Sequence, residues 1–230
     1  MTKLLVIVFI LCMYIFTLIR CTKHKQINEI DEATLRSEQI IVKNAQEAII
    51  ELKNGNKRFL EDKLINYNYK RQIELSKGRQ KPYAIILSCM DSRVPPEIVF
   101  DQGIGHLFAL RVAGNVEDEN ILGSLEYAVE HGHSKVIVVM GHSHCGAVKG
   151  SIIGTKLENL TQLLEQIKPS IKAYPGTLDI VEAVSKNNVK TTIQDILKRS
   201  NFINEHVNDN KIDIVGAYYN IETGEVSFLE

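Results

Sequence analysis

Residues 135–150 read KVIVVMGHSHCGAVKG. Val136 to Met140 are apolar without alternation, the pattern of a strand covered on both faces, as in a parallel sheet, and not of one that turns a polar side to water. At its end the chain places two histidines and a cysteine in a turn bracketed by Gly141 and Gly146, where missing side chains let backbone come close to whatever the turn holds. Outward from this stretch the pattern repeats. PYAIILSC (82–89) and HLFALRVAG (106–114) read as strands, and ENILGSLEYAVEHG (119–132) reads as a helix ended by glycine. Further helical segments fall near 157–173 and 178–206, and KIDIVGAYYNIETGEVSFLE (211–230) closes the chain with a hairpin turned at ETGE. Upstream, NAQEAIIELKNGNKRFLEDKL (44–64) spaces Ala48, Ile49, Leu52, Phe59 and Leu60 as a helical arm, with a break or cap expected at Asn54–Asn56. The fold class is therefore α/β: a mostly parallel central β-sheet flanked by helices, with an N-terminal helical arm and a C-terminal hairpin.

The chain has 230 residues, enough for one domain with a substantial core, and neither a repeat nor a low-complexity linker marks a second. Lys and Arg total 27 against 28 Asp and Glu, so no basic excess points to nucleic acid. Four cysteines are too few for a disulfide scaffold in a chain of this length. Taken singly, Cys89 and Cys145 are equally small buried hydrophobes. Leu4 to Ile19 form an apolar run flanked by Lys3 and by Arg20, Lys23 and Lys25, a length between a signal h-region and a spanning helix. Residues 1–25 are accordingly expected to be a signal peptide or membrane anchor and 26–230 the catalytic domain with its arm. The expected location is exported, periplasmic or membrane-anchored, with a possible tether through residues 4–19. The positive charge on the C-terminal flank leaves the cytoplasmic side open.

Two strand ends carry the chemistry: SCMDSR (88–93) after the first strand and GHSHCGAVKG (141–150) after the third. In an open parallel sheet, ligands gather beyond the carboxyl ends of the strands, so Cys89, His142 and Cys145 can meet. Two thiolates and an imidazole are three protein ligands for tetrahedral zinc, and three leave a position for water, the catalytic pattern. His144, between two ligands, is expected to point away. Pro95 and Pro96 are expected to stop the strand so that the loop turns aside.

C-x-D-S-R followed some fifty residues later by G-H-x-x-C-G resembles the β-class carbonic anhydrases, and DQGIGHLFALRVAGN (101–115) is similar to the segment between those motifs in that family. The likeness runs from about Gln80 to Gly150. It implies a zinc enzyme, with one Zn2+ per subunit, that interconverts carbon dioxide and bicarbonate, assembled as a homodimer or homotetramer with the active site near the subunit interface. Carried over by position, Cys89, His142 and Cys145 bind zinc and Asp91 and Arg93 form a dyad, Arg93 holding the carboxylate ionised and Asp91 accepting a hydrogen bond from a zinc-activated water. Gln80 matches a substrate-binding glutamine of the family's plant-like branch, and Phe108 and Tyr127 match pocket aromatics; Ala113 replaces a bulkier valine and widens the pocket wall. A second branch is closed by bicarbonate at a site with a tryptophan three residues before the first zinc cysteine. Ile86 stands there and the chain has no tryptophan, although Arg111 matches another residue of that site.

A cysteine phosphatase would need an arginine about six residues after Cys145, where Ser151 stands, and GIGHLF (103–108) lacks the third glycine of a dinucleotide fingerprint. Two alternatives keep the zinc motif: a hydrolase of carbon disulfide or carbonyl sulfide, and an inactive zinc-binding interaction module. A purely structural site would not require Asp91 and Arg93. His106, His131 and His133 are the candidate proton shuttles.

Overall fold

The computed structural model describes residues 40, 42–132, 134–171 and 180–229; the segment 1–25 and His133 lie outside them. Helix α1 (Ala45–Leu60) is followed by α2 (Tyr69–Ser76), β1 (Ala84–Ser88), the short α3 (Pro96–Val99), β2 (Leu107–Arg111), a 3-10 turn at Ala113–Asn115, α4 (Glu119–Gly132) and β3 (Val136–His142). Then come α5 (Gly146–Ile152), α6 (Glu158–Ile171), α7 (Ile180–Arg199), α8 (Asn201–Asn208), β4 (Asp213–Tyr219) and β5 (Val226–Leu229). The strands form one sheet in the order β2-β1-β3-β4-β5, parallel through β4, with β5 antiparallel as the expected hairpin.

Every residue of β1 and β3 is buried, which is why these strands carry no polar alternation. Their period-two geometry nevertheless divides the core. Ile86, Val138 and Met140 face α1 and Phe100, whereas Ile85, Leu87, Ile137 and Val139 face α4, α7 and α8. β1 connects to β2 on one side, and the chain then returns to lay β3 on the other. The carboxyl ends of β1 and β3 thus flank the point where strand order reverses, the place where such sheets leave a crevice.

Three expectations require correction. The Asn54–Asn56 stretch neither breaks nor caps α1, which runs through it. Gly55 is there because α1 crosses against the Phe100 carbonyl: a Cβ at residue 55 would sit 1.8 Å from that oxygen. Asn56 is a buried clamp, its Nδ2 donating to the Val99 and Gly224 carbonyls and its Oδ1 accepting from Val226 N–H. Asn56→Ala strands three backbone groups at once, and urea unfolding is expected to show a loss of about 3 kcal/mol, at one to several kcal/mol per orphaned buried group. A loss below about 1 kcal/mol would mean that water replaces the amide. The second correction concerns the prolines: β1 has already ended at Ser88, and Pro96 instead opens α3 with Pro95 as its N-cap, where a missing N–H costs nothing.

The helix expected over 178–206 is two helices, because Ser200 ends α7 and caps α8 by accepting from Ile203 N–H. α7 lies close on the sheet. Cβ atoms at Gly141 and Gly216 would come within 2.8 and 2.9 Å of Val189, so both glycines are the price of that approach.

Candidate metal centre

Cys89 lies just beyond β1, His142 is the last residue of β3, and Cys145 is the N-cap of α5. His144, between the last two, has φ 55°, a left-handed turn that reverses the chain and brings residues 142 and 145 to the same side. Ser143 pins this turn from below: its N–H donates to Tyr219 O and its Oγ accepts from Ile221 N–H. One ligating atom each from Cys89, His142 and Cys145 lies within 4.8 Å of the others, and exposure is 5% for Cys89, 0% for His142 and 1% for Cys145. The imidazole is oriented for the purpose. His142 Nδ1 lies 2.8 Å from Ser143 O, to which it can only donate, so Nε2 carries the lone pair. Among the described residues that Nε2 is buried without a hydrogen-bond partner, an arrangement a protein core avoids unless something else occupies the lone pair.

The thiols are similarly incomplete. Cys89 is pulled below the ordinary thiol range, first by its hydrogen bond with Cys145, then by His142 and the Gly114 N–H, against the cost of burial. Cys145 is pushed up by the same bond and by burial. Two buried sulfurs therefore share a proton, and a cation among them would release it. Two sulfur donors and one imidazole suit zinc, and exclude the oxygen-preferring magnesium and calcium.

Asp91 stands outside that cluster. Its carboxylate is gripped bidentately by Arg93, Nε to Oδ1 at 2.9 Å and Nη2 to Oδ2 at 2.7 Å, and the Arg93 N–H adds a third bond at 3.0 Å. These bonds hold the carboxyl well below the usual carboxylate range. Asp91, Arg93, Cys89, Ala113, Gly146 and Ala147 line an open cavity of about 530 Å³. Ala113 thus forms part of its wall. Ile86 is buried in β1, and Arg111, paired in register with Ser88, donates to the Cys89 and Asp91 carbonyls. Arg111 braces the loop that carries the site, a task that nothing in its sequence neighbourhood indicates.

The other expected residues lie elsewhere in the chain. Gln80 is exposed before β1, Phe108 packs against Gly132 of α4, and Tyr127 is exposed with its ring 4.9 Å from that of His131. None of the three lines the cavity beside Cys89. His106 is buried beside Gln102 and Tyr67. His144 does point away, its Nε2 2.9 Å from Glu222.

A carbonic anhydrase family model matches residues 84–226. Carbonic anhydrase 2 of Mycobacterium tuberculosis strain H37Rv is 35% identical over 181 residues, covering 75% of this chain and 87% of that protein. The carbonic anhydrase of Mycolicibacterium smegmatis is 36% identical over 186 residues, covering 76% and 88%. Among solved structures, a tetrameric β-carbonic anhydrase of the ascomycete Sordaria macrospora superimposes with a TM-score of 0.61 at 26% identity, over 66% of this chain and 83% of that one.

Proposed function

The chain belongs to the β-class carbonic anhydrases, and on that premise we propose that it uses one zinc ion per subunit, held by Cys89, His142 and Cys145, to hydrate carbon dioxide reversibly to bicarbonate and a proton. The observation that carries this reading is the buried Cys89-His142-Cys145 cluster opening onto a cavity beside an arginine-clamped carboxylate. Zinc bound there would supply Lewis acidity, bringing the pKa of a coordinated water toward neutrality. The rest is done by the chain. With Arg93 occupying one face of the carboxylate, Asp91 keeps lone pairs free to accept a proton-bearing O–H from the cavity, fixing the direction in which that oxygen presents its own lone pair. Ala113, Gly146 and Ala147 are small, which leaves room for a linear substrate that has no hydrogen to donate.

The same donors would serve hydrolysis of carbon disulfide or carbonyl sulfide, or a zinc module without turnover. Stopped-flow assays of the purified full chain with carbon dioxide and with carbon disulfide separate the three. Hydration well above the buffer rate supports the proposal, and hydration at the buffer rate overturns it, whatever happens with carbon disulfide. A homodimer or homotetramer fits the tetrameric relative. It would also give Gln80, Phe108 and Tyr127, which lie off the cavity of their own chain, access to a neighbour's. Export or tethering through residues 4–19 remains part of the proposal. Among the described residues no helix is long and apolar enough to cross a membrane, so the test is fractionation of cells carrying the full chain, with protease added from outside.

A further inference from the structure

Among the described residues, the Gly114 N–H, 3.4 Å from Sγ, is a backbone donor that reaches Cys89 from outside its own loop. Gly114 sits in the 3-10 turn with φ 71°, and a Cβ there would meet Ile167 at 2.7 Å and Ala147 at 3.3 Å, so only glycine fits. Glycine is also the residue whose backbone is least constrained, and an N–H that must hold one direction on a glycine needs support from outside. Among the described residues the turn has two backbone supports, Val112 N–H to Ser88 O and Asn115 N–H to Val112 O. The second holds the 114–115 peptide plane by its N–H, and neither bonds the Gly114 oxygen itself. Asn188 does: its Nδ2 donates to Gly114 O at 2.8 Å from the middle of α7, and its Oδ1 accepts from the Ser170 hydroxyl of α6 at 3.3 Å. Asn188 is 1% exposed and Ser170 0%. The amide orientation is set at the carbonyl end, since only the nitrogen can donate to Gly114 O; the Ser170 hydroxyl lies between Asn188 Oδ1 and Thr191 Oγ1, 3.0 Å away.

We propose that Asn188 is a positioning residue for the metal centre, holding the 114–115 peptide by its carbonyl and so restraining Gly114, whose own N–H, in the preceding peptide, bonds the Cys89 sulfur. The inference rests on the zinc reading for its consequence but not for its geometry. An N–H bonded to a thiolate withdraws charge from the sulfur and limits its rotation. This lowers its donation to a bound cation and leaves the cation a stronger Lewis acid. The glycine contacts that bring α7 close at residues 141 and 216 place Asn188 within reach of the turn, so the helix that closes one face of the core also reaches the site.

The test compares Asn188→Ala with Ile196→Val, which loosens the same helix through the core without touching Gly114. In the metal-free chain, amide exchange at Gly114 is expected to accelerate at least tenfold in Asn188→Ala and not in Ile196→Val. In cobalt-substituted protein the sulfur-to-cobalt charge-transfer band is expected to move to longer wavelength in Asn188→Ala alone, and metal retention against a chelator to fall about 10-fold to 100-fold, the usual cost of losing an outer partner. Equal effects of the two variants, or none from Asn188→Ala, would overturn the proposal. Should alanine not yield folded protein, Asn188→Ser keeps a hydroxyl but is too short to span to Gly114, and the same outcomes decide. A Gly114 amide in the unmodified chain that exchanges as freely as an exposed loop also overturns it. Failure of the unmodified chain to take up zinc or cobalt would count against the zinc reading, and the exchange measurement would still decide the role of Asn188.

Discussion

Cys145→Ser is expected to leave the purified protein without stoichiometric zinc and to reduce carbon dioxide hydration to the buffer rate. Serine is nearly isosteric, so the N-cap position of α5 and the turn through His144 should survive. What changes is the donor. A hydroxyl in a buried site stays protonated and does not replace a thiolate as a zinc ligand, so two protein ligands remain where three are needed. Loss of an outer partner typically costs 10-fold to 100-fold in metal affinity, and loss of a ligand should exceed that. The hydroxyl can still donate to Cys89 in place of the thiol, so the effect is read as loss of a ligand and not as a changed charge on the other sulfur. Elemental analysis together with stopped-flow kinetics reads both halves. One zinc per chain in Cys145→Ser would remove residue 145 from the ligand set.

The parts of this site that sequence revealed are those whose chemistry is carried by residue type. Cys89, Asp91, Arg93, His142 and Cys145 stand out because thiols, imidazoles and ion pairs are unusual at the ends of apolar strands, and the structure gathers three of them into one cluster and pairs the other two. The parallel sheet was legible for a related reason, since Ala84–Ser88 and Val136–His142 are buried on both faces and show no alternation. Asn56, Arg111 and Asn188 were not legible. Each acts by donating to backbone carbonyls distant in sequence, and a carbonyl belongs to every residue, so no pattern of residue types records the partnership. Gly55 failed in the opposite direction. Between two asparagines it has the composition of a turn, yet it lies inside a helix because a carbonyl from Phe100 needs the space. Tertiary packing, not local propensity, chose that glycine.

Asp91→Asn is expected to keep zinc and to lower kcat/KM for carbon dioxide by about 10²-fold to 10³-fold, the scale found when one preorganised polar group is removed from a site. Zinc stays because Asp91 is not among the clustered ligands. Activity falls because asparagine is neutral, leaves the Arg93 guanidinium without its carboxylate, and can turn an N–H toward the cavity where an acceptor is wanted. The pH profile separates this from a titration effect. Arg93 holds the Asp91 carboxyl well below the usual carboxylate range, so the group is ionised throughout the neutral range and cannot supply an acid limb there. The sign for stability follows: a depressed carboxyl contributes above its unfolded value of about 3.9 and loses that contribution as pH falls through the folded one. The pair is open to solvent on the arginine side, where side-chain exposure is 55%, so that contribution is small. Asp91→Asn should therefore lower the plateau, and any shift of the activity midpoint should be toward lower pH, because removing one anion makes a second easier to form nearby. Arg93→Ala tests the same logic from the other partner. It would let the Asp91 pKa return toward its ordinary value, still far below neutrality, so the carboxylate remains charged and only its direction is lost. A fall in kcat/KM is the expected result, with any midpoint shift toward higher pH because a cation has been removed beside the site, whereas an acid limb vanishing in Asp91→Asn would make Asp91 a titrating group and not an orienting one.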